Sequence, residues 1–127
     1  MNKKSMWVII SGIMGFLGVA IGAFGKHGLD GKIPEHLLQV YKTGVTYHLV
    51  HSVCLLAIAL VGNEKYFKAA LFFLIGIILF SFSLYVYSIT AITMVAVITP
   101  FGGLSFLIGW ILIVVEGFRS MKSEEKN

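Results

Sequence analysis

The chain has 127 residues, of which 57% are hydrophobic and only 13% are charged. A soluble domain usually carries about 25% charged residues, so this composition argues against a soluble protein and indicates a membrane protein. The formal net charge is +4, but the basic residues are dispersed at the ends of apolar segments. There they suit anionic lipid headgroups, and we expect no nucleic-acid partner. The single cysteine, Cys54, excludes an intramolecular disulfide.

Four apolar segments are each long enough to cross a bilayer, which requires about 20 helical residues. They cover residues 6–24, 44–62, 67–89 and 94–118. The sequence therefore predicts an all-α fold, an integral membrane four-helix bundle that forms a single transmembrane domain over residues 1–127 and has the lipid bilayer as its surroundings. The first segment is longer than the roughly 7–15 apolar residues of a signal-peptide core, so we expect an uncleaved anchor.

The distribution of lysine and arginine predicts the orientation. Four spans place both termini on one side, which carries seven basic residues: Lys3, Lys4, Lys65, Lys68, Arg119, Lys122 and Lys126. The opposite side carries three: Lys26, Lys32 and Lys42. Because cytoplasmic loops are enriched in Lys and Arg, we expect a multi-pass protein of the cell membrane with both termini in the cytoplasm.

Small residues recur on one face of the first span at spacings of three and four. This stripe contains Ser11, Gly15, Gly18, Gly22 and Gly25. Small side chains let helix backbones approach closely, which is how membrane helices pack, so we expect a tight helix–helix seam. A pore or groove lined by exposed backbone is the alternative. Gly102 and Gly109 repeat the pattern in the fourth span.

The connection between the first two spans is the longest extramembrane segment. Pro34 suits the first turn of a helix, and apolar residues then recur with helical spacing at Leu37, Leu38 and Tyr41. We interpret residues 34–43 as a short amphipathic helix at the outer surface that leads into the second span. It either packs over the bundle or contacts lipid.

Two histidines in the second span are the main candidates for function. His48 and His51 share a face, and Tyr47 is positioned to stack on His51 one turn away. Ionisable residues in membrane helices are functional candidates by default. Hydrogen bonding to a neighbouring helix or headgroup, a ligand or proton site, and a metal or haem site all remain open. Two histidines supply only part of a coordination sphere, so we predict no metal and no cofactor.

The third span carries hydroxyl groups on two nearly opposite faces, which predicts a central position in the bundle. One face contains Ser81, Tyr85 and Ser88, and the other contains Ser83, Tyr87 and Thr90. In the fourth span, Pro100 either kinks the helix or starts it, with Thr99 as the cap, and we favour the kink. Glu116 lies three residues before Arg119, which predicts an ion pair at the cytoplasmic end, with a proton relay as the alternative.

Catalytic signatures are missing from the sequence. There is no phosphate-binding Gly-x-x-x-x-Gly-Lys loop, no His-Glu-x-x-His metal motif and no pair of carboxylates inside a span. Asp30 is the sole aspartate, so a Ser–His–Asp arrangement is not plausible. We therefore lean against an enzyme.

Three stretches resemble a family of small bacterial membrane proteins, domain of unknown function family 423, whose eukaryotic relatives are called transmembrane protein 256. They are Gly22-Ala-Phe-Gly-Lys-His-Gly28, Lys42-Thr-Gly-Val-Thr-Tyr-His-Leu-Val-His51 and Thr99-Pro-Phe-Gly-Gly103. The resemblance carries the family pattern to Gly22, Phe24, Gly25, His27, Gly28, Tyr47, His51, Pro100, Gly102 and Gly103. His48 departs from it, since glutamine is common there. The family has no established activity, so the resemblance implies the fold and leaves the function open.

Five of the motif residues are expected at the outer end of the bundle. They form a candidate pocket of His27, Tyr47, His51, Thr99 and Gly102. The favoured function is a scaffold or interaction protein, whose glycine seams assemble a homo-oligomer or hold a larger membrane partner. The alternative is a protein that binds or passes a lipid, small solute or proton through this His/Tyr pocket.

Overall fold

The structure is a computed structural model that describes residues 2–126, and all regular secondary structure within them is helical. Four segments are long and apolar enough to cross a membrane: Lys3–Leu29, Glu35–Val61, Glu64–Thr90 and Thr93–Glu125. They contain α1 (Lys3–Phe24), α2 (Glu35–Val61), α3 (Phe67–Gly76), α4 (Phe82–Thr90), α5 (Thr93–Ala96) and α6 (Thr99–Glu125). The prediction of an all-α, four-helix membrane protein is confirmed.

The third span, α3 followed by α4, lies at the centre of the helix packing. It contacts α2 on one side and α6 on another, while α1 packs mainly along α2. In the most apolar 18-residue stretch of the third span 44% of the residues are buried, whereas in the corresponding stretch of the first span 17% are buried. This difference agrees with the two polar faces of the third span, because hydroxyl groups in hydrocarbon need protein partners. The first span leaves most of its surface to lipid.

Residues 34–43 do not form a separate surface helix. Glu35–Val61 is one continuous helix, and Pro34 is the residue that precedes its first turn. Leu38 and Tyr41 are only 3% and 2% exposed, and the Tyr41 hydroxyl donates a hydrogen bond to the Ile21 carbonyl oxygen of α1. The apolar face of this segment therefore packs over the bundle, which was one of the two alternatives.

A π-helical turn at Ile77–Ser81 joins α3 to α4. A π turn holds one residue more than an α turn, so it locally widens the helix. Gly102 of α6 lies against this turn, and a Cβ on Gly102 would be 2.2 Å from the backbone nitrogen of Phe80. Only a glycine allows the two backbones to approach this closely.

The fourth span is not a single kinked helix, so the favoured interpretation of Pro100 is wrong. Ala91 ends α4 in the left-handed conformation (φ 57°), α5 forms one short turn, and α6 begins at Thr99 with Pro100 in its first turn. Proline suits this position because its missing N–H is one that the first turn of a helix leaves unpaired. Thr99 does not cap the helix; its hydroxyl hydrogen-bonds to that of Ser83 at 2.6 Å.

Polar contacts gather at the end of the bundle that carries both chain ends. Lys3 Nζ lies 3.5 Å from Glu64 Oε1, and the Lys65 ammonium donates a hydrogen bond to the Ser120 hydroxyl. The predicted ion pair is also confirmed, with Arg119 Nη1 and Glu116 Oε1 3.0 Å apart. The Lys3–Glu64 pair is exposed on both sides, and exposed pairs of this kind contribute little stability.

Replacing Gly102 by alanine is expected to destabilise the protein by about 2–3 kcal/mol, because the new methyl group overlaps the backbone of the π turn. The measurement is the thermal unfolding midpoint in detergent. Gly117→Ala is the matched control, since a Cβ there meets nothing within 4 Å and alanine favours the helix. Equal midpoints for the two variants would contradict the backbone contact.

Candidate functional site

His48 connects three helices through its two ring nitrogens. Its side chain is fully buried, Nε2 lies 2.8 Å from the Met14 carbonyl oxygen of α1, and Nδ1 lies 2.8 Å from the Tyr85 hydroxyl of α4. A carbonyl oxygen only accepts, so Nε2–H donates to Met14 and Nδ1 accepts from Tyr85. Both polar atoms of this ring are therefore satisfied inside the bundle.

Two glycines make room for this connection. A Cβ on Gly18 would be 2.6 Å from Cδ2 of Leu49 and 3.4 Å from Cδ2 of His48. A Cβ on Gly44 would be 2.8 Å from the ring of Tyr85. A larger residue at position 18 would displace the Leu49 side chain, and one at position 44 would displace the ring of Tyr85, the hydrogen-bond partner of His48.

His51 has a second, independent set of partners. Its Nδ1–H donates to the Tyr47 carbonyl oxygen at 2.8 Å, and its Nε2 accepts from the indole N–H of Trp110 at 3.1 Å. Its ring stacks on Phe106 with centroids 3.7 Å apart and an interplanar angle of 12°. The two histidines thus carry their protons on different nitrogens, Nε2 in His48 and Nδ1 in His51.

These hydrogen bonds leave neither imidazole with a free lone pair for a metal ion. Among residues 2–126, no three side chains of His, Cys, Asp or Glu are grouped as a metal site requires. Of the three possibilities that the sequence leaves open for the histidines, hydrogen bonding between helices is the one that the geometry displays.

An aromatic cleft lies between α2 and α6 on the outside of the bundle. Its volume is about 590 Å³, and its lining residues are Tyr47, His51, Phe80, Pro100, Gly103, Leu104, Phe106, Leu107 and Trp110. Leu104 and Leu107 are 55% and 61% exposed, so the cleft opens sideways towards the lipid. We call this feature the aromatic cleft.

Tyr47 supplies the polar group of the aromatic cleft. Its ring stacks on His51 with an interplanar angle of 9° and lies 4.7 Å from the Phe80 ring. Within residues 2–126 the Tyr47 hydroxyl has no hydrogen-bond partner, and the side chain is 43% exposed. Tyr47 therefore brings a hydroxyl group without a partner among the described residues to a cleft whose lining is otherwise largely apolar and aromatic.

The candidate pocket residues separate into three groups. Tyr47 and His51 line the cleft. Thr99 and Gly102 lie behind it, where they attach α6 to Ser83 and to the π turn. His27 is exposed in the helical turn Gly25–Leu29 after α1 and does not line the cleft.

The candidate packing glycines also divide by position. Cβ atoms on Gly18, Gly22 and Gly25 would meet Leu49, Val45 and Tyr41 of α2, and one on Gly109 would meet Phe73 of α3. These four glycines occupy seams within the chain. Gly15 differs, because a Cβ there meets nothing within 4 Å.

Sequence reasoning missed three of the aromatic residues that line the cleft: Phe80, Phe106 and Trp110. Phe106 and Trp110 are four residues apart on α6, a spacing that places both on one helical face and was visible in the sequence. Phe80 had no such signal, since its position depends on the π turn. The partnership of Tyr85 with His48 was equally invisible, because it joins residues 37 positions apart.

Apolar helices that pair most of their buried polar groups internally, with the Ser81 hydroxyl as an exception, and expose apolar side chains around the outside define a small polytopic membrane protein. Within this class, residues 21–103 match the family described as "Protein of unknown function (DUF423)". The chain belongs to this family.

Relatives extend over nearly the whole chain. The UPF0382 membrane protein YwdK of Bacillus subtilis is 44% identical over 115 residues, which cover 87% of this chain and 94% of the relative. A UPF0382 membrane protein of Haemophilus influenzae is 38% identical over 92% of this chain and 97% of its own length. One of Staphylococcus aureus is 37% identical, with coverages of 90% and 96%. No solved structure matches the chain.

Replacing His48 by glutamine is expected to leave the free energy of unfolding unchanged, whereas His48→Leu is expected to lower it by about 1–3 kcal/mol. The glutamine amide can donate to the Met14 carbonyl and accept from the Tyr85 hydroxyl, while leucine leaves both unpaired. Thermal unfolding midpoints in detergent provide the measurement. If His48 acts through these bonds, Tyr85→Phe should lower the unfolding midpoint by less in the His48→Leu background than in the native chain. Equal decreases of the midpoint in the His48→Gln and His48→Leu variants would refute the hydrogen-bonding role.

Proposed function

We propose that this protein binds an apolar molecule from the bilayer, with a lipid chain or lipid-soluble ring seated in the aromatic cleft. The observation that carries the proposal is the cleft itself, an aromatic cavity of about 590 Å³ that opens to the lipid beside one free hydroxyl. Small-molecule sites are typically about 300–1,000 Å³, mostly apolar, and contain a few polar groups that fix orientation.

The lining limits the chemistry of the ligand. Phe80, Phe106 and Trp110 offer ring faces and edges that suit planar or flexible apolar groups. The hydroxyl of Tyr47 suits a single polar substituent, such as a carbonyl or hydroxyl group. A strongly polar solute would leave its other groups unpaired against these rings, which is costly in an apolar environment.

A proton-transfer function is less well supported. Both nitrogens of His51 already have partners, so a proton can enter or leave this ring only if the bond to Tyr47 or Trp110 breaks. Glu116, the acid within the fourth span, is paired with Arg119 at the other end of the bundle.

The scaffold function rested on glycine seams that join one chain to another. Gly18, Gly22, Gly25 and Gly109 instead lie against side chains of their own chain. The argument for a homo-oligomer or a larger membrane partner is correspondingly weaker, and we place ligand binding first.

The proposed setting is the cell membrane, with residues 1–127 acting as one transmembrane unit and both termini in the cytoplasm. The support is the excess of basic residues at the end of the bundle that carries the termini, seven against three. In this orientation the cleft opens to the outer half of the bilayer, because α6 enters it at Pro100, near the end opposite the C-terminus.

Filling the cleft is expected to remove the bound molecule. A Cβ on Gly103 lies 3.8 Å from the Phe80 ring, an ordinary contact, so Gly103→Leu can fill the cleft without a backbone clash. Native mass spectrometry of the gently purified protein should find one co-purified apolar molecule in the native chain and none in this variant.

Gly117→Leu is the matched control for that experiment, because it adds the same side chain to α6 where nothing lies within 4 Å. The control should retain the molecule. Tyr47→Phe should weaken its retention about tenfold, the loss of one hydrogen bond of about 1.4 kcal/mol. Equal retention by the two leucine variants, or a native chain with nothing bound, would reject the proposal.

Reporter fusions test the orientation separately. Alkaline phosphatase fused after Lys126 is expected to be inactive, because it is active only after export from the cytoplasm. A fluorescent protein fused at the same site is expected to be bright, because it becomes fluorescent in the cytoplasm. Fusions after Lys32, in the connection between the first two spans, should show the reverse. The opposite pattern at either site would invert the topology and leave ligand binding untouched.

A further inference from the structure

Two more cavities lie along the pair of helices α1 and α2, on the other side of α2 from the aromatic cleft. The first, of about 460 Å³, lies beside the end of α1 and is lined by Lys26, Asp30 and Lys42 among others. The second, of about 350 Å³, lies further along α1 and is largely apolar, with Gly15, Val19 and Leu49 in its wall.

The two cavities follow one another along the same helical faces. Their lining includes residues 22, 19, 15 and 12 of α1, residue 26 in the helical turn that follows it, and residues 42, 46, 49 and 53 of α2. Spacings of three and four keep residues on one side of a helix. The cavities share no lining residue but lie end to end along these faces. We call the two together the α1/α2 groove, with charges at one end and a largely apolar floor at the other.

The charges at the open end of the groove are unpaired. Within residues 2–126 the two ion pairs are Lys3–Glu64 and Arg119–Glu116, so neither Lys26 nor Lys42 has a carboxylate within 4 Å. Asp30 lies in the same cavity, and two ammonium groups against one carboxylate leave a net positive charge. Thr46 offers little to a ligand as a donor, because its hydroxyl already donates to the Lys42 carbonyl oxygen.

We propose that the α1/α2 groove binds an anionic phospholipid, with its phosphate between Lys26 and Lys42 and one acyl chain along the groove floor. Lysine ammonium groups at the membrane surface attract anionic headgroups. From Lys26 to Gly12 the groove runs about 21 Å, the rise of fourteen helical residues. One leaflet of the hydrocarbon core is about 15 Å deep, so the groove can hold an acyl chain along its length.

The floor of the groove supports the same occupant. Cβ atoms on Gly12 and Gly15 would meet nothing within 4 Å, so the chain itself leaves this space empty. Phe16 and Val53 form exposed apolar walls beside it, 73% and 66% exposed. An acyl chain is apolar, flexible and narrow enough to lie between such walls.

Competition between two lipids tests the headgroup end. The full chain in detergent is mixed with equal amounts of phosphatidylglycerol and phosphatidylcholine of identical acyl chains, and native mass spectrometry counts the bound lipids. The native protein should retain one molecule of phosphatidylglycerol in preference to phosphatidylcholine. The double variant Lys26→Gln/Lys42→Gln should lose this preference by about tenfold or more. The double variant Lys32→Gln/Lys65→Gln removes the same charge outside the groove and should behave as the native chain.

A second pair of variants tests the acyl-chain end. Gly15→Leu fills open space on the groove floor and should release both lipids from this site, while thermal unfolding remains unchanged. Gly117→Leu, which also enters open space, should release neither. Gly103→Leu in the aromatic cleft should not affect the preference for phosphatidylglycerol, so failure of either proposed site is distinguishable from failure of the other.

Four outcomes would overturn the proposal. Equal binding of the two lipids by the native protein, or equal losses in the two lysine double variants, would remove the role of Lys26 and Lys42. Displacement of phosphatidylglycerol by inorganic phosphate alone would show that the groove floor adds nothing. A dimer of the native chain that carries no lipid in the groove and dissociates on Gly15→Leu would assign the groove to a second copy of the chain.

Discussion

Hydrocarbon provides no hydrogen-bond partner, and the packing of the bundle depends on this constraint. His48 must pair both ring nitrogens, and it does so with Met14 of α1 and Tyr85 of α4. One side chain thereby sets the distance of α2 from two neighbours. Breaking one of these bonds would leave a buried polar atom unpaired, at a cost of about 1–3 kcal/mol. The apolar contacts around His48 supply attraction but have little directional preference, so the imidazole geometry contributes specificity as well as stability.

The positions of several glycines follow from the same need for internal hydrogen bonds. Short hydrogen bonds between helices require close backbones, and Gly18 and Gly44 stand where α1 and α4 approach His48. Gly102 likewise allows α6 to pack closely against the backbone of the π turn. The seam that looked suited to another chain is therefore mostly filled within this one. What remains open on α1 is the space beside Gly12 and Gly15, where an added Cβ would meet nothing within 4 Å.

Periodicity and composition were sufficient to predict four helical spans, the stacking of Tyr47 on His51 and the ion pair of Glu116 with Arg119. These are local features, and spacing along one helix determines them. The continuity of α2 through residues 35–43 and the start of α6 at Thr99 were not predicted correctly, because tertiary contacts of Tyr41 and Thr99 decide them. The aromatic cleft was predicted only in part, since it needs the register of α2 against α6, which no single-helix pattern contains.

The π turn at Ile77–Ser81 decides which way the second half of the third span faces. A π turn takes up one residue more than an α turn, whereas in an unbroken α-helix each residue turns the chain by about 100°. If the same residues formed α turns throughout, α4 would be rotated by about that angle relative to α3. Tyr85 would then face away from His48 while α3 still packed on α6. The extra residue in this turn therefore allows one span to contact α6 with its first half and α2 with its second.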